Sequence, residues 1–169
     1  YAAFKKSFHQ IPGKVMNDKK TDEFVKIAEN RFNSGFNCAE STLIAVTSAM
    51  KIESDMFPRI ASGFGGGIIS RYGSICGALS GTIMAVGAFC GRDEVSNPEE
   101  KEKFYNLISI IVEDFKNKFG FIECKNLIGC DLHTEEGRKR FYVEKIHQKK
   151  CNEYVKFAAR KGIGILSSR

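Results

Sequence analysis

Apolar residues recur at intervals of three and four along most of this chain, and the period-two alternation of half-buried strands is nearly absent. Phe24, Ile27, Ala28 and Phe32 make the first stripe, which Thr21-Asp22 can start and Asn33-Ser34-Gly35 can stop. After Asn37, a second face carries Ala39, Thr42, Leu43, Val46, Ala49 and Met50, with Cys38 in its first turn. The cleanest stripe spans residues 99–119, where Phe104, Leu107, Ile108, Ile111, Val112, Phe115 and Phe119 align before Gly120. A short helical turn is expected around Cys124, Leu127 and Ile128, and a last helix from about Glu135 past Ala159. The pattern predicts an all-α fold: a single-domain helical bundle over residues 21–169. Residues 1–20, basic and broken by Pro12-Gly13, read as an N-terminal extension or arm.

Two glycine-bearing stretches interrupt this regularity. The first is Ala61-Ser62-Gly63-Phe64-Gly65-Gly66-Gly67; the second is a small-residue helix opened by Cys76 and running to about Cys90. Gly73, Gly77 and Gly81 fall four apart, with Ala85 following, and so predict one bare face on a central Gly-rich helix. A glycine inside a helix costs about 1 kcal/mol relative to alanine. Either very close packing or a ligand must offset that cost, and on the ligand reading Gly77 and Gly81 are cofactor-binding positions. A nucleotide loop fails on detail. No strand precedes Gly63, the G-x-G-x-x-G spacing is missing, and no G-K-[ST] follows.

Length and charge narrow the classes. At 169 residues one domain can bury a real core. The net charge of +6 would suit an anionic partner, yet Lys and Arg are spread opposite the apolar faces. With no RNP-type motif, zinc finger or unbroken basic arm, nucleic acid is not an expected partner. The apolar stretch from Ile75 to Cys90 is too short and too rich in Gly and Ser for a membrane span. Residues 1–20 lack a signal-peptide hydrophobic region, so a cytoplasmic location is expected; a start at Tyr1 leaves an exported form open.

The chemistry rests on six cysteines, at positions 38, 76, 90, 124, 130 and 151, none of them in a C-x-x-C pair. Cys90 and Cys130 read as small buried apolar residues. Cys38 and Cys76 sit in the first turns of helices, Cys124 precedes Lys125, and Cys151 follows Lys149-Lys150 on a face with Tyr154, Val155 and Ala158. Helix-start amides and nearby cations lower a thiol's pKa, so these four are expected to be the reactive ones. His147, one turn before Cys151, could serve as a base or ligand on the same face. His9 and His133 fall in loops without evident partners.

Several segments in order carry a family resemblance: Phe36-Asn37-Cys38-Ala39-Glu40, Ala61 to Gly67, and Cys76-Gly77-Ala78-Leu79-Ser80-Gly81. Phe119-Gly120, Cys124, Leu127-Ile128-Gly129, and Cys151 with Val155 and Ala158-Ala159 complete it. From roughly Thr21 to the C-terminus the chain resembles the redox-active C_GCAxxG_C_C family, built on a CGAxxG motif and spaced cysteines. The resemblance implies that Cys38, Cys76, Cys124 and Cys151 act together and leaves Cys90 and Cys130 outside the pattern. Reversible thiol/disulfide chemistry among these cysteines, with an unidentified redox partner protein, is the first expectation. Cys76, at a helix start among glycines, is the expected nucleophile, resolved by Cys38, Cys124 or Cys151. Two alternatives stay open: an iron–sulfur cluster or zinc held by the same four thiolates, or a non-catalytic adaptor or oligomerisation module. Glycine-faced helices also leave a homodimer open.

Overall fold

The starts of the first two helices are fixed by side-chain caps. In the computed structural model, which describes residues 16–92, 94–95 and 98–168, Asn17 accepts the Lys20 amide and begins α1 (Asp18–Asn33). That is one turn before the expected Thr21. Residues 1–15, most of the expected arm, lie outside the described residues. At α2 (Cys38–Ala49), Asn37 accepts the Ala39 and Glu40 amides while Glu40 accepts the Asn37 N–H, a reciprocal capping box. The same two residues reach the glycine stretch. Ser62 donates its hydroxyl to Glu40, and the Asn37 amide group donates to the Ser62 carbonyl.

The helices α3 (Gly77–Cys90), α4 (Pro98–Phe119), α5 (Cys124–Ile128), α6 (Glu135–Val143) and α7 (Asn152–Ser167) follow. The described residues contain no strand, only an isolated antiparallel bridge between Ile75 and Glu123. The fold is all-α, and none of its helices is long and apolar enough to cross a membrane among the described residues.

The bundle centre is built from small residues. A Cβ at Gly81 would overlap the Ala39 carbonyl oxygen and the Thr42 hydroxyl, so α3 lies directly on the backbone of α2. On α7, Gly162 admits Thr82 and Val46, where a Cβ would stand 2.7 and 3.2 Å away. Close packing therefore offsets the cost of the Gly81 backbone. Gly73 departs from the expected register: it precedes the helix in a left-handed conformation (φ 63°), held against Lys125. Fully buried Phe115 locks α4 to α7 through rings of Tyr154 and Phe157, each 6.0 Å away between centroids.

The expected last helix breaks. Lys145 adopts φ 53°, and a π-helical turn at His147–Cys151 leads into α7. The reason lies in the spacing. Phe141, Ile146 and Cys151 are five apart, too wide for an α-helical face, yet all three pack in one small cluster with Cys124, Ile128, Cys130 and Leu132. A left-handed residue and a widened turn bring them round to the same side.

Gly81→Ala should lower stability by about 1–3 kcal/mol, because the α2 backbone cannot give way. Gly164→Ala, at a helical site with open space, should raise it by about 0.5–1 kcal/mol. Urea unfolding midpoints of the two variants check both signs.

A candidate four-thiol site

The glycine stretch is folded by an unusual backbone. After a 3-10 turn at Arg59–Phe64, Gly66, Gly67, Ile68, Ile69 and Ser70 all take positive φ, between 43° and 71°. Left-handed backbone costs an L-residue about 1–2 kcal/mol, and two β-branched residues stand in this run. Backbone bonds hold it closed: Ile69 N–H to Gly63 O (2.9 Å), Ser70 N–H to Gly65 O (2.8 Å) and Ser74 N–H to Gly67 O (3.1 Å). Gly65 abuts Asn37 and Gly67 abuts Cys124, where an added Cβ would stand 2.6 and 2.7 Å from theirs. The loop is thus wedged between the starts of α2 and α5.

Next to it, two short segments pair. Cys76 donates its N–H to the Ile122 carbonyl and Cys124 donates to Ser74, both at 2.7 Å. Cys76 is the N-cap of α3, Cys38 and Cys124 are the first residues of α2 and α5, and Cys151 ends the π turn. These backbone devices bring all four to one cavity of about 400 Å³. Its walls include Phe32, Phe36, Leu127, Leu132, Phe141 and Tyr154. All four thiols are free; Cys76 and Cys124 are buried, Cys38 and Cys151 half-buried. The Cys38 sulfur lies against Gly77, where a Cβ would overlap it. Neither Gly77 nor Gly81, the expected cofactor-binding positions, lines the cavity.

The electrostatics reverse the expectation of low pKa values. Burial pushes the Cys38 thiol up, although the nearby backbone amides of Gly66, Cys38, Ala39 and Ala78 draw it down. Burial, then charge on Cys38 and Cys124, holds Cys76 well above the ordinary range. Cys124 is pushed up to about 12 by burial and by the Cys38 and Cys130 thiols. Cys151 is raised further still by burial and by Cys38, Cys124 and Cys130. The helix-start amides are present, but removing a thiolate from water outweighs them. Cys38 is the leading neighbouring charge on each of the other three. It is the common neighbour of the group.

His147 also lines the cavity, with its Nδ1 buried and unpartnered and its ring 5.9 Å from that of Phe141. His133 instead pairs with the Tyr72 ring, and His9 lies outside the described residues. Cys90 donates to the Val86 carbonyl within α3, away from the cavity. Cys130, read from sequence as core, packs beside Cys124 and Cys151. The signal for that was Gly129, whose left-handed conformation (φ 73°) ends α5 and turns the chain back. Among the described residues, no group of three or more His, Cys, Asp or Glu side chains is arranged to hold a metal ion. As placed, the four thiols share a cavity without forming a coordination sphere.

The family model described as "Putative redox-active protein (C_GCAxxG_C_C)" matches residues 36–163. An "Uncharacterized protein" of Archaeoglobus fulgidus is 37% identical over 116 residues, covering 64% of this chain and 76% of that protein. No solved structure matches the chain.

The raised thiol pKa values set an alkaline limit on stability. An unfolded cysteine ionises near about pH 8.5, whereas Cys124 in the fold holds its proton to about 12. The unfolded state therefore releases the proton first, and stability falls as pH rises through that window. Urea midpoints of the reduced protein should drop steadily above about pH 9, and less steeply for Cys124→Ser.

Proposed function

The chain belongs to the C_GCAxxG_C_C redox-active family, and we propose that it works by reversible thiol/disulfide exchange centred on Cys38. The observation that carries this reading is the convergence of four thiols on one cavity with Cys38 neighbouring the other three. Cys38, rather than the expected Cys76, is the attacking sulfur. It is half-buried where Cys76 is buried, and more backbone amides face it.

In the oxidising direction, the Cys38 thiolate attacks a disulfide R–S–S–R′. A Cys38–S–S–R bond forms, and R′S⁻ leaves and takes up a proton. Cys76, Cys124 or Cys151 then attacks the Cys38 sulfur and expels RS⁻, which takes the resolving thiol's proton. The substrate disulfide is reduced to two thiols, and two protein thiols become one disulfide.

The order follows from charge. Burial keeps the other three protonated, and charge on a Cys38 thiolate adds to that. Once its sulfur is bonded the charge is gone, and a resolving thiol ionises more readily. The first step enables the second.

Oxidation of the reduced, anaerobically purified protein with oxidised glutathione tests the reading. The wild type should lose two thiols to a disulfide that includes Cys38. Cys38→Ser should slow disulfide formation by about tenfold or more, having lost the sulfur shared by all pairs. Stoichiometric iron with sulfide, or zinc, in the purified protein would replace this mechanism with metal binding. Unchanged thiol counts throughout would leave only an adaptor role.

A further inference from the structure

Cys130 lies outside the family pattern, yet three observations place it at the boundary of the thiol site. It packs in the small cluster with Cys124, and Cys151 packs against the same cluster. It also lines a second, more open cleft with Phe121, Lys125, Asn126, Gly129 and Asp131. Among the described residues, none of the four cavity thiols lines that cleft, and Cys130 does not line theirs.

Cations are fixed beside it. Arg140 donates to the Gly129 carbonyl at 3.0 Å, and Lys150 donates to the Leu127 carbonyl at 3.2 Å. Burial holds the Cys130 thiol above its ordinary range, with Arg140 and Lys150 drawing it down and the carboxylates of Glu144 and Asp131 adding to the rise. Asp131 is itself held by Lys125 at 2.7 Å on the rim of the cleft. Cys130 burdens the ionisation of Cys124 and Cys151, so of these three it is the one that ionises first.

We propose that Cys130 is a relay thiol that carries the disulfide from the buried cavity to the second cleft, where a low-molecular-weight thiol reduces it. The proposal rests on the thiol/disulfide reading above. When the buried disulfide joins Cys38 to Cys124 or Cys151, the Cys130 thiolate attacks the Cys124 or Cys151 sulfur. A disulfide to Cys130 forms, and Cys38 leaves and is protonated. A small thiol RSH entering the cleft then attacks the Cys130 sulfur, giving Cys130–S–S–R and freeing the Cys124 or Cys151 thiol. A second RSH releases RSSR and restores Cys130. Two electrons and two protons pass from two RSH to the buried pair.

The test reduces the oxidised protein with reduced glutathione, following free thiols over time and mapping disulfides at partial reduction. Cys130→Ser should slow reduction by about tenfold, and Cys90→Ser should not slow it. In the wild type, a Cys130–Cys124 or Cys130–Cys151 linkage, or Cys130 bonded to glutathione, should appear at intermediate times. The linkage mapping needs no variant, so a folding defect in Cys130→Ser cannot mask the result. A buried disulfide that forms and is reduced at the wild-type rate in Cys130→Ser, without any linkage to Cys130, overturns the relay alone. Failure of any disulfide to form among Cys38, Cys76, Cys124 and Cys151 overturns the thiol/disulfide reading and the relay with it.

Discussion

Dehydration of sulfur governs this molecule. A thiolate is stabilised by water or by donors that replace water, and at Cys38 the fold supplies backbone amides. Cys38 receives the amides of Gly66, Ala39 and Ala78 as well as its own, while Cys124 and Cys151 have no such set acting on them. Helix starts alone could not make four acidic thiols in so apolar a cavity. Instead the fold makes one sulfur easier to ionise than its neighbours and lets its charge restrain them. Order among the thiols comes from this inequality.

Backbone proximity delivers the sulfurs. Gly81 lets α3 rest on α2, and one turn earlier Gly77 lets the Cys38 sulfur sit against the chain next to Cys76. The left-handed run from Gly66 to Ser70 closes the third side. It abuts Cys124 at Gly67 and offers an amide to Cys38 at Gly66. Strained backbone of this kind persists only where its surroundings over-determine it. Here the Asn37–Glu40 cap, the Ser62 bonds and the Ser74–Cys124 pairing do so.

Much of this was legible in the sequence because helix periodicity and capping are local. The stripes ending at Phe32 and Phe119, the start at Asn37 and the bare face at Gly77 and Gly81 follow from residues within a few positions of each other. What escaped depends on distant partners. Gly73 fits the four-residue spacing but answers to Lys125, and the five-residue spacing of Phe141, Ile146 and Cys151 has meaning only beside α5. The direction of the thiol pKa shifts is hidden from the sequence for the same reason. A helix-start amide is visible in sequence, but the loss of water around a sulfur is a property of the assembled walls. Cys130 reads as plain core in the sequence because the cations that face it, Arg140 and Lys150, come from the segment after Glu135.

The π turn at His147–Cys151 has a mechanical corollary. It is one residue of surplus that lets a single rod serve two phases: Cys151 keyed to the thiols, and Val155, Ala158 and Gly162 keyed to the bundle axis. Because α7 continues from that turn without a loop, no slack separates the two. Cys151 and the seat of Gly162 on Thr82 and Val46 are therefore carried by one rod, about three turns apart.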